Sequence, residues 1–171
     1  LPTAHPAAPA PASAVLSGVI TKTGIYGVLV LSTTVFLHDK QWGMLLAVLG
    51  AVTMVLGAVL AVLSVDLKRT LACSSISQIG FILVGTAMLC LLGEHNALAV
   101  DGTILHILNH SLIKMVLFPA AGIIHLTTHS FDLNDIRGFG RGKPLLALVM
   151  GMPMLSLAGA PGLNGYVSKT L

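Results

Sequence analysis

GTILHILNHSLIKMVLFPAAGIIHLTT, residues 102–128, is long and apolar enough to cross a bilayer, yet it carries His106, Asn109, His110 and Lys114. About 20 apolar residues span the hydrocarbon as a helix. A helix advances about 100° per residue, so positions 106, 110 and 114 drift by only about 40° at each step. They form one polar stripe that rises about 12 Å along the axis. Ionisable groups at membrane depth cost about 2.5–3.5 kcal/mol each on insertion scales and face a bundle interior or a wet cavity. A titratable stripe of this kind is what a proton relay needs.

The composition sets the class. Of 171 residues 55% are hydrophobic and 9% charged, and the mean hydropathy is +0.93. A soluble domain carries about 25% charged residues, so the chain reads as an all-α, polytopic transmembrane helix bundle. The net charge of +3 is spread along the sequence with no run of basic residues, which argues against nucleic acid as a partner. Cys73 and Cys90 lie in one apolar segment without ligand spacing, so neither a disulfide framework nor a metal site is expected. Residue 1 is Leu, no signal-peptide pattern follows it, and the chain stops at Lys169-Thr170-Leu171 in a helix-like run. These ends suggest an internal piece of a longer protein and a single, incomplete transmembrane domain over residues 1–171.

Spanning segments are expected at residues 12–37, 43–65, 71–93 and 102–128, with a fifth at 144–171. The fifth meets AGAPG at 158–162, where an ordinary helix cannot continue. Its first part, 144–157, rises only about 21 Å, against a hydrocarbon core of about 30 Å. A discontinuous membrane helix resuming near residue 163 is the expectation, and such helices line protein or water and often mark transport sites. Lys68 and Arg69 in one loop, with Arg137, Arg141 and Lys143 in another, oppose only Lys40 on the other side. The positive-inside rule puts loops 66–70 and 129–143 in the cytoplasm.

Several polar residues stand out against this apolar background. Lys22 sits mid-segment, too deep to reach either interface by snorkelling. Burial disfavours an ammonium, which suits such a group to proton exchange; the plain alternative is a structural lysine paired with a carboxylate outside the chain. His106 and His110 have the i,i+4 spacing of zinc ligands, but there is no Glu at 107 and Lys114 shares the stripe, so a metal is not expected. Imidazoles pass protons near neutral pH, although a structural histidine is the rival reading for each. His125 reads as interfacial. Lys169, just past the break, reads either as the end of a relay or as a charge in a terminal turn. Asp66 is expected to cap the third helix, and 66–70 and 131–138 read as solvated polar loops. Pro119 predicts a kink or a weakened turn, and the membrane glycines predict close helix packing. No phosphate-cradling loop, serine triad or cofactor signature is present, so no cofactor is expected.

The motifs LPTAHPAAPAPASAVLSGVITKTGIYG, DLKRTLACSSISQIGFI, HILNHSLIKMVLFPAAG and GAPGLNGYVSKTL, in that order, resemble the antiporter-like proton-translocating subunits. That family includes membrane subunits of NADH–quinone oxidoreductase (complex I), of membrane-bound hydrogenase and formate hydrogenlyase complexes, and of multisubunit Na⁺/H⁺ antiporters. The resemblance covers nearly the whole chain. It implies an inverted-repeat transporter fold with a broken helix in each repeat and a row of Lys, His and Glu along the membrane midplane. On that likeness Lys22 matches the central relay lysine, His106, His110 and Lys114 the bridging group, and Lys169 the lysine of the second broken helix. The family's first half-channel also uses a Glu and a Lys that would precede Leu1, so this stretch alone is not expected to translocate protons. Its opening motif looks more like the hydrogenase and cation-antiporter branches than the mitochondrial-type subunits.

The resemblance implies a proton-translocating subunit of a redox-driven complex in a prokaryotic inner membrane, with other membrane subunits and the lipid bilayer as partners. "Oxidoreductase" would then describe the assembly and not these residues. The rival readings are a Na⁺/H⁺ antiporter subunit moving protons or sodium, and a structural membrane scaffold.

Overall fold

Where the sequence is apolar, the chain is helical. The computed structural model describes residues 1–92 and 97–170. It begins with α1 (Ala4–Ala7), α2 (Ala10–Val15), a π-helical turn (Leu16–Ile20) and α3 (Thr21–Thr34). There follow α4 (Lys40–Val62), α5 (Leu67–Leu91), α6 (Ala97–Thr128), a 3-10 turn (Phe139–Gly142), α7 (Pro144–Ala158) and α8 (Asn164–Thr170). The stretch Ala10–Thr34 and helices α4, α5 and α6 are each long and apolar enough to span a membrane. The chain is an all-α, multi-pass integral membrane protein. The expected segment ends at residues 93 and 171 lie outside the described residues.

Caps move two helix starts ahead of the hydropathy pattern. The Asp39 carboxylate accepts from the Gln41 and Trp42 N–H groups at 2.8 and 3.2 Å, so α4 starts at Lys40. The Asp66 carboxylate accepts from the Arg69 N–H at 2.7 Å and starts α5 at Leu67. Each cap satisfies amide donors that the first turn leaves without a partner. The second cap draws Lys68 out of the loop and into the first turn of α5. Pro119, which predicted a kink, lies inside α6, and the helix continues past it to Thr128.

α6 is the central helix, touching α2, the π turn, α5, α7 and α8. α4 lies along α5 at backbone contact. A Cβ at Gly80 would fall 2.4 Å from Met54 N, and one at Gly57 would fall 2.4 Å from Ser77 N. Such close approach by small residues is how helices pack where lipid supplies no hydrophobic drive between them. The opposite side of α4 presents Leu45, Val48, Leu49, Val52 and Leu56 outward, a surface suited to hydrocarbon.

The final helix is discontinuous. α7 ends at Ala158, Gly159 adopts φ +87° and Gly162 φ +86°, and α8 starts at Asn164. Left-handed backbone of this kind is strained for residues with a Cβ. Gly159 N–H and Ala160 N–H both donate to Leu155 O, at 3.1 and 3.0 Å, closing α7. At the other end of the bundle the loops 65–67 and 131–133 are joined by Leu67 N–H to Phe131 O and Leu133 N–H to Val65 O, both 2.9 Å. The two loops richest in Lys and Arg therefore share one side.

Candidate proton-relay site

The first polar contact of the interior begins at the π turn. Thr21 N–H reaches back five residues to Leu16 O, so the Ser17 carbonyl is not taken by the Thr21 amide. It accepts the Thr21 hydroxyl at 2.9 Å and the Lys22 ammonium. The Lys22 side chain then meets α6, with Nζ 2.8 Å from His110 Nδ1. Gly18 permits this approach, because a Cβ there would fall 2.7 Å from Met115 Cγ on α6. Single-turn π distortions recur at functional sites because they release a carbonyl from the helical ladder.

One turn along α6, Lys114 is fully buried. Its ammonium donates to Leu71 O at 2.7 Å and to Ser74 Oγ at 2.6 Å, both on α5. Ser74 and Ser75 also donate to Leu71 O, at 2.8 and 3.1 Å. Ser75 Oγ lies 2.9 Å from Ser17 Oγ. A buried charge is tolerated when hydrogen bonds replace its hydration, and here α5 supplies them through Leu71 O and Ser74 Oγ.

One turn in the other direction, His106 is 3% exposed. Its Nδ1 lies 3.1 Å from Ser168 Oγ on α8, and its ring packs tilted on Phe81 with centroids 4.7 Å apart. His106, Phe81, Thr103, Ser168 and Lys169 line a cavity of about 170 Å³, large enough for several waters at about 30 Å³ each. Lys169 donates to Leu157 O at 2.6 Å. Leu157 is in the last turn of α7, where carbonyls lack intrahelical partners, so the break itself provides the seat for this cation. Asn109 Nδ2 donates to Asn164 O at 2.9 Å and fixes the start of α8 against α6.

The five residues singled out in the sequence therefore lie along α6. Lys22 contacts His110 directly, Lys114 lies one turn to one side, and His106 with Lys169 lies to the other. The link from α3 enters the stripe at His110, its middle. Sequence reasoning gave no role to the hydroxyls of Ser17, Ser74 and Ser75; Ser74 and Ser75 stand in a serine cluster within an otherwise apolar segment, whereas Ser17 carries no such signal. It also misread Lys68, which is 4% exposed and not part of a solvated loop. Lys68 Nζ donates to Ala8 O at 2.7 Å, at the gap between α1 and α2, and lies 4.4 Å from the Phe131 ring centroid. The His125 ring stacks on the other partner of this group, Phe131, at 4.0 Å.

The chain is similar in sequence and fold to known membrane proteins. Residues 1–171 match the family described as NADH:quinone oxidoreductase/Mrp antiporter, TM. The chain is 37% identical over 177 residues to hydrogenase-4 component B of Escherichia coli, covering 99% of the chain and 26% of that protein. It is 40% identical over 172 residues to NAD(P)H-quinone oxidoreductase chain 4 1 of Picosynechococcus sp., covering 99% of the chain and 31% of that protein. Among solved structures it resembles a chain of the Mrp complex from Dietzia sp. DQ12-45-1b, with a TM-score of 0.91 and 29% identity, over 99% of this chain and 31% of that one. The chain thus spans about a quarter to a third of the length of these relatives. With the match running over residues 1–171, the chain belongs to the NADH:quinone oxidoreductase/Mrp antiporter membrane family.

Proposed function

We propose that this chain is a section of a proton-translocating, antiporter-like membrane subunit in a redox-driven complex of a prokaryotic inner membrane. Lys22, His110, Lys114, His106 and Lys169 carry the proton within it, with water joining the groups that do not touch. The observation that carries this reading is the 2.8 Å contact between Lys22 Nζ and His110 Nδ1. An amine and an imidazole share a proton there, and helical spacing sets further carriers on both sides. Other membrane subunits would supply the redox chemistry, and likeness to hydrogenase-4 component B and to a quinone oxidoreductase chain supports that setting.

The rival is a Na⁺/H⁺ antiporter subunit, favoured by likeness to a chain of an Mrp complex. The row argues for protons as the ion carried along it. Its members are amines and imidazoles held by carbonyls and hydroxyls, and hard cations take anionic or neutral oxygen ligands. The experiment is Lys114→Ala in the full-length protein within its complex, with protons moved per electron as the readout. A lowered ratio is expected, and an unchanged ratio overturns the assignment. Sodium-dependent transport without redox substrate would establish the rival. Transport surviving neutralisation of Lys22, Lys114 and Lys169 together would leave only a scaffold.

A further inference from the structure

Four donors converge on one carbonyl beneath Lys114. Leu71 O receives Lys114 Nζ at 2.7 Å, Ser74 Oγ at 2.8 Å and Ser75 Oγ at 3.1 Å. As a residue inside α5 it is also the i−4 acceptor of the Ser75 amide. A carbonyl oxygen has two lone pairs, so four donors compete for it and the most weakly held one yields first. Ser75 Oγ is the most distant of the side-chain donors, and it has a second acceptor in Ser17 Oγ at 2.9 Å. Both serines are fully buried, so neither hydroxyl turns to solvent instead.

A serine hydroxyl has one proton to give. When Lys114 is an ammonium, it donates to Leu71 O and Ser74 Oγ, and Ser75 gives its proton to Ser17. When Lys114 is a neutral amine, it is a weaker donor and accepts from Ser74 through its lone pair. Leu71 O is then released, and Ser75 turns back to it. Ser17 is the residue whose carbonyl holds the Lys22 ammonium. The rotation therefore alters the polar environment of a second lysine on a different helix.

We propose that Ser75, with Ser17, is a hydroxyl switch that couples the proton occupancy of Lys114 to that of Lys22. It is a positioning pair, acting on both lysines through Leu71 O and Ser17 O, and it works alongside the direct contact at His110. Such coupling is reciprocal, so an event at either lysine biases the other. The titratable groups facing Lys114 are Lys22 from α3, Cys73 from α5, His110 from its own helix and, across the Phe118 ring, His5 from α1. α7 contributes none, since its sequence has no ionisable side chain.

This proposal rests on the relay reading, and the test separates the two. In the full-length protein within its complex, proton transport is measured against pH for Ser75→Ala, Ser17→Ala, the double variant and Ser75→Thr. Each alanine variant is expected to move the midpoint by about 0.5 pH unit or more, roughly threefold in proton affinity. The double variant should move it no further, and Ser75→Thr, which keeps the hydroxyl, should restore it. Thr86→Val is the control, because among the described residues that buried hydroxyl bonds only within its own helix, to Ile82 O at 2.9 Å, and it should leave the midpoint in place. Shifts that add, or a Ser75→Ala profile that superimposes on the parent while Lys114→Ala lowers pumping, overturn the switch alone. An unchanged proton ratio in Lys114→Ala overturns the relay and the switch with it.

Discussion

Lys22 and His110 lie 88 residues apart in the chain, yet Lys22 Nζ stands 2.8 Å from His110 Nδ1. The contact requires a π turn before Lys22, a glycine at position 18 to admit α6, and the unbroken course of α6 past residue 110. Only one of the two nitrogens carries the shared proton at a time. The pair is therefore expected to act as one unit.

Lys22→Ala and His110→Ala should each lower proton transport, and the double variant should be no worse than the more damaging single one. Residues in direct contact show coupling of about 0.5–3 kcal/mol in such cycles. The measurement is the initial rate of proton uptake per electron in membrane vesicles carrying the whole complex. Losses that multiply would mean that the two groups act independently.

Ser74 bears directly on the Lys114 ammonium at 2.6 Å. A hydrogen bond to a charged group contributes about 1.5–3 kcal/mol, and one pKa unit corresponds to about 1.4 kcal/mol. The neutral amine also bonds Ser74, but a neutral hydrogen bond contributes only about 0.5–1.5 kcal/mol. Losing Ser74 Oγ therefore weakens the charged form more, and Ser74→Ala should lower the pH at which Lys114 is half-protonated. Transport in Ser74→Ala should then fall at the alkaline end of its range and hold at the acid end. Comparing the alkaline limb of the pH profile with that of the parent checks the sign, and a limb shifted to higher pH contradicts it.

The spanning helices, the break between α7 and α8 and the stripe on residues 106–114 were legible because each rests on local patterning. Hydropathy over a window gives a span, the AGAPG run excludes a continuous helix, and 3.6-residue periodicity puts 106, 110 and 114 together. What sequence did not reveal depends on tertiary contact. The π turn before Lys22 carries no marker that separates it from ordinary helix. The seat for Lys114 is a carbonyl 43 residues away. Lys68 and Arg69 are equivalent to a charge-counting rule, yet α5 starts early enough to turn Lys68 inward and leave Arg69 outside.

That difference between neighbours is measurable. Lys68→Met leaves Ala8 O, at the gap between α1 and α2, without its donor and removes the cation from the Phe131 face. The Ala8 carbonyl is only part-buried, so losing this hydrogen bond costs about 0.5–1.5 kcal/mol, and a cation–π contact contributes about 0.5–2 kcal/mol. Lys68→Met should therefore lower the thermal unfolding temperature of the detergent-solubilised protein clearly. Arg69→Met, at an exposed site, should stay within about 0.5 kcal/mol of the parent. Equal effects would show that both act only as interfacial charge.

Gly80 tests whether the α4–α5 contact serves stability without serving transport. A methyl group at 80 would fall 2.4 Å from Met54 N and 2.6 Å from Gly50 O. Both are backbone atoms, so no rotamer change relieves the overlap, and α4 must move away along its contact with α5. Overpacking of a close interface costs about 1–3 kcal/mol. Gly24 in α3 is the matched control, because a Cβ there has nothing within 4 Å. Replacing a helical glycine by alanine favours the helix by up to about 1 kcal/mol. Gly80→Ala should lower the yield of folded protein and its unfolding temperature, while Gly24→Ala leaves them equal or raised. The lysine seat on α5 faces α6, and α4 packs elsewhere on α5 through Gly50, Gly57 and Gly80. The fraction of Gly80→Ala that assembles should therefore move the parental number of protons per electron. A reduced ratio in that fraction would place α4 in the transport mechanism and not only in the packing that supports it.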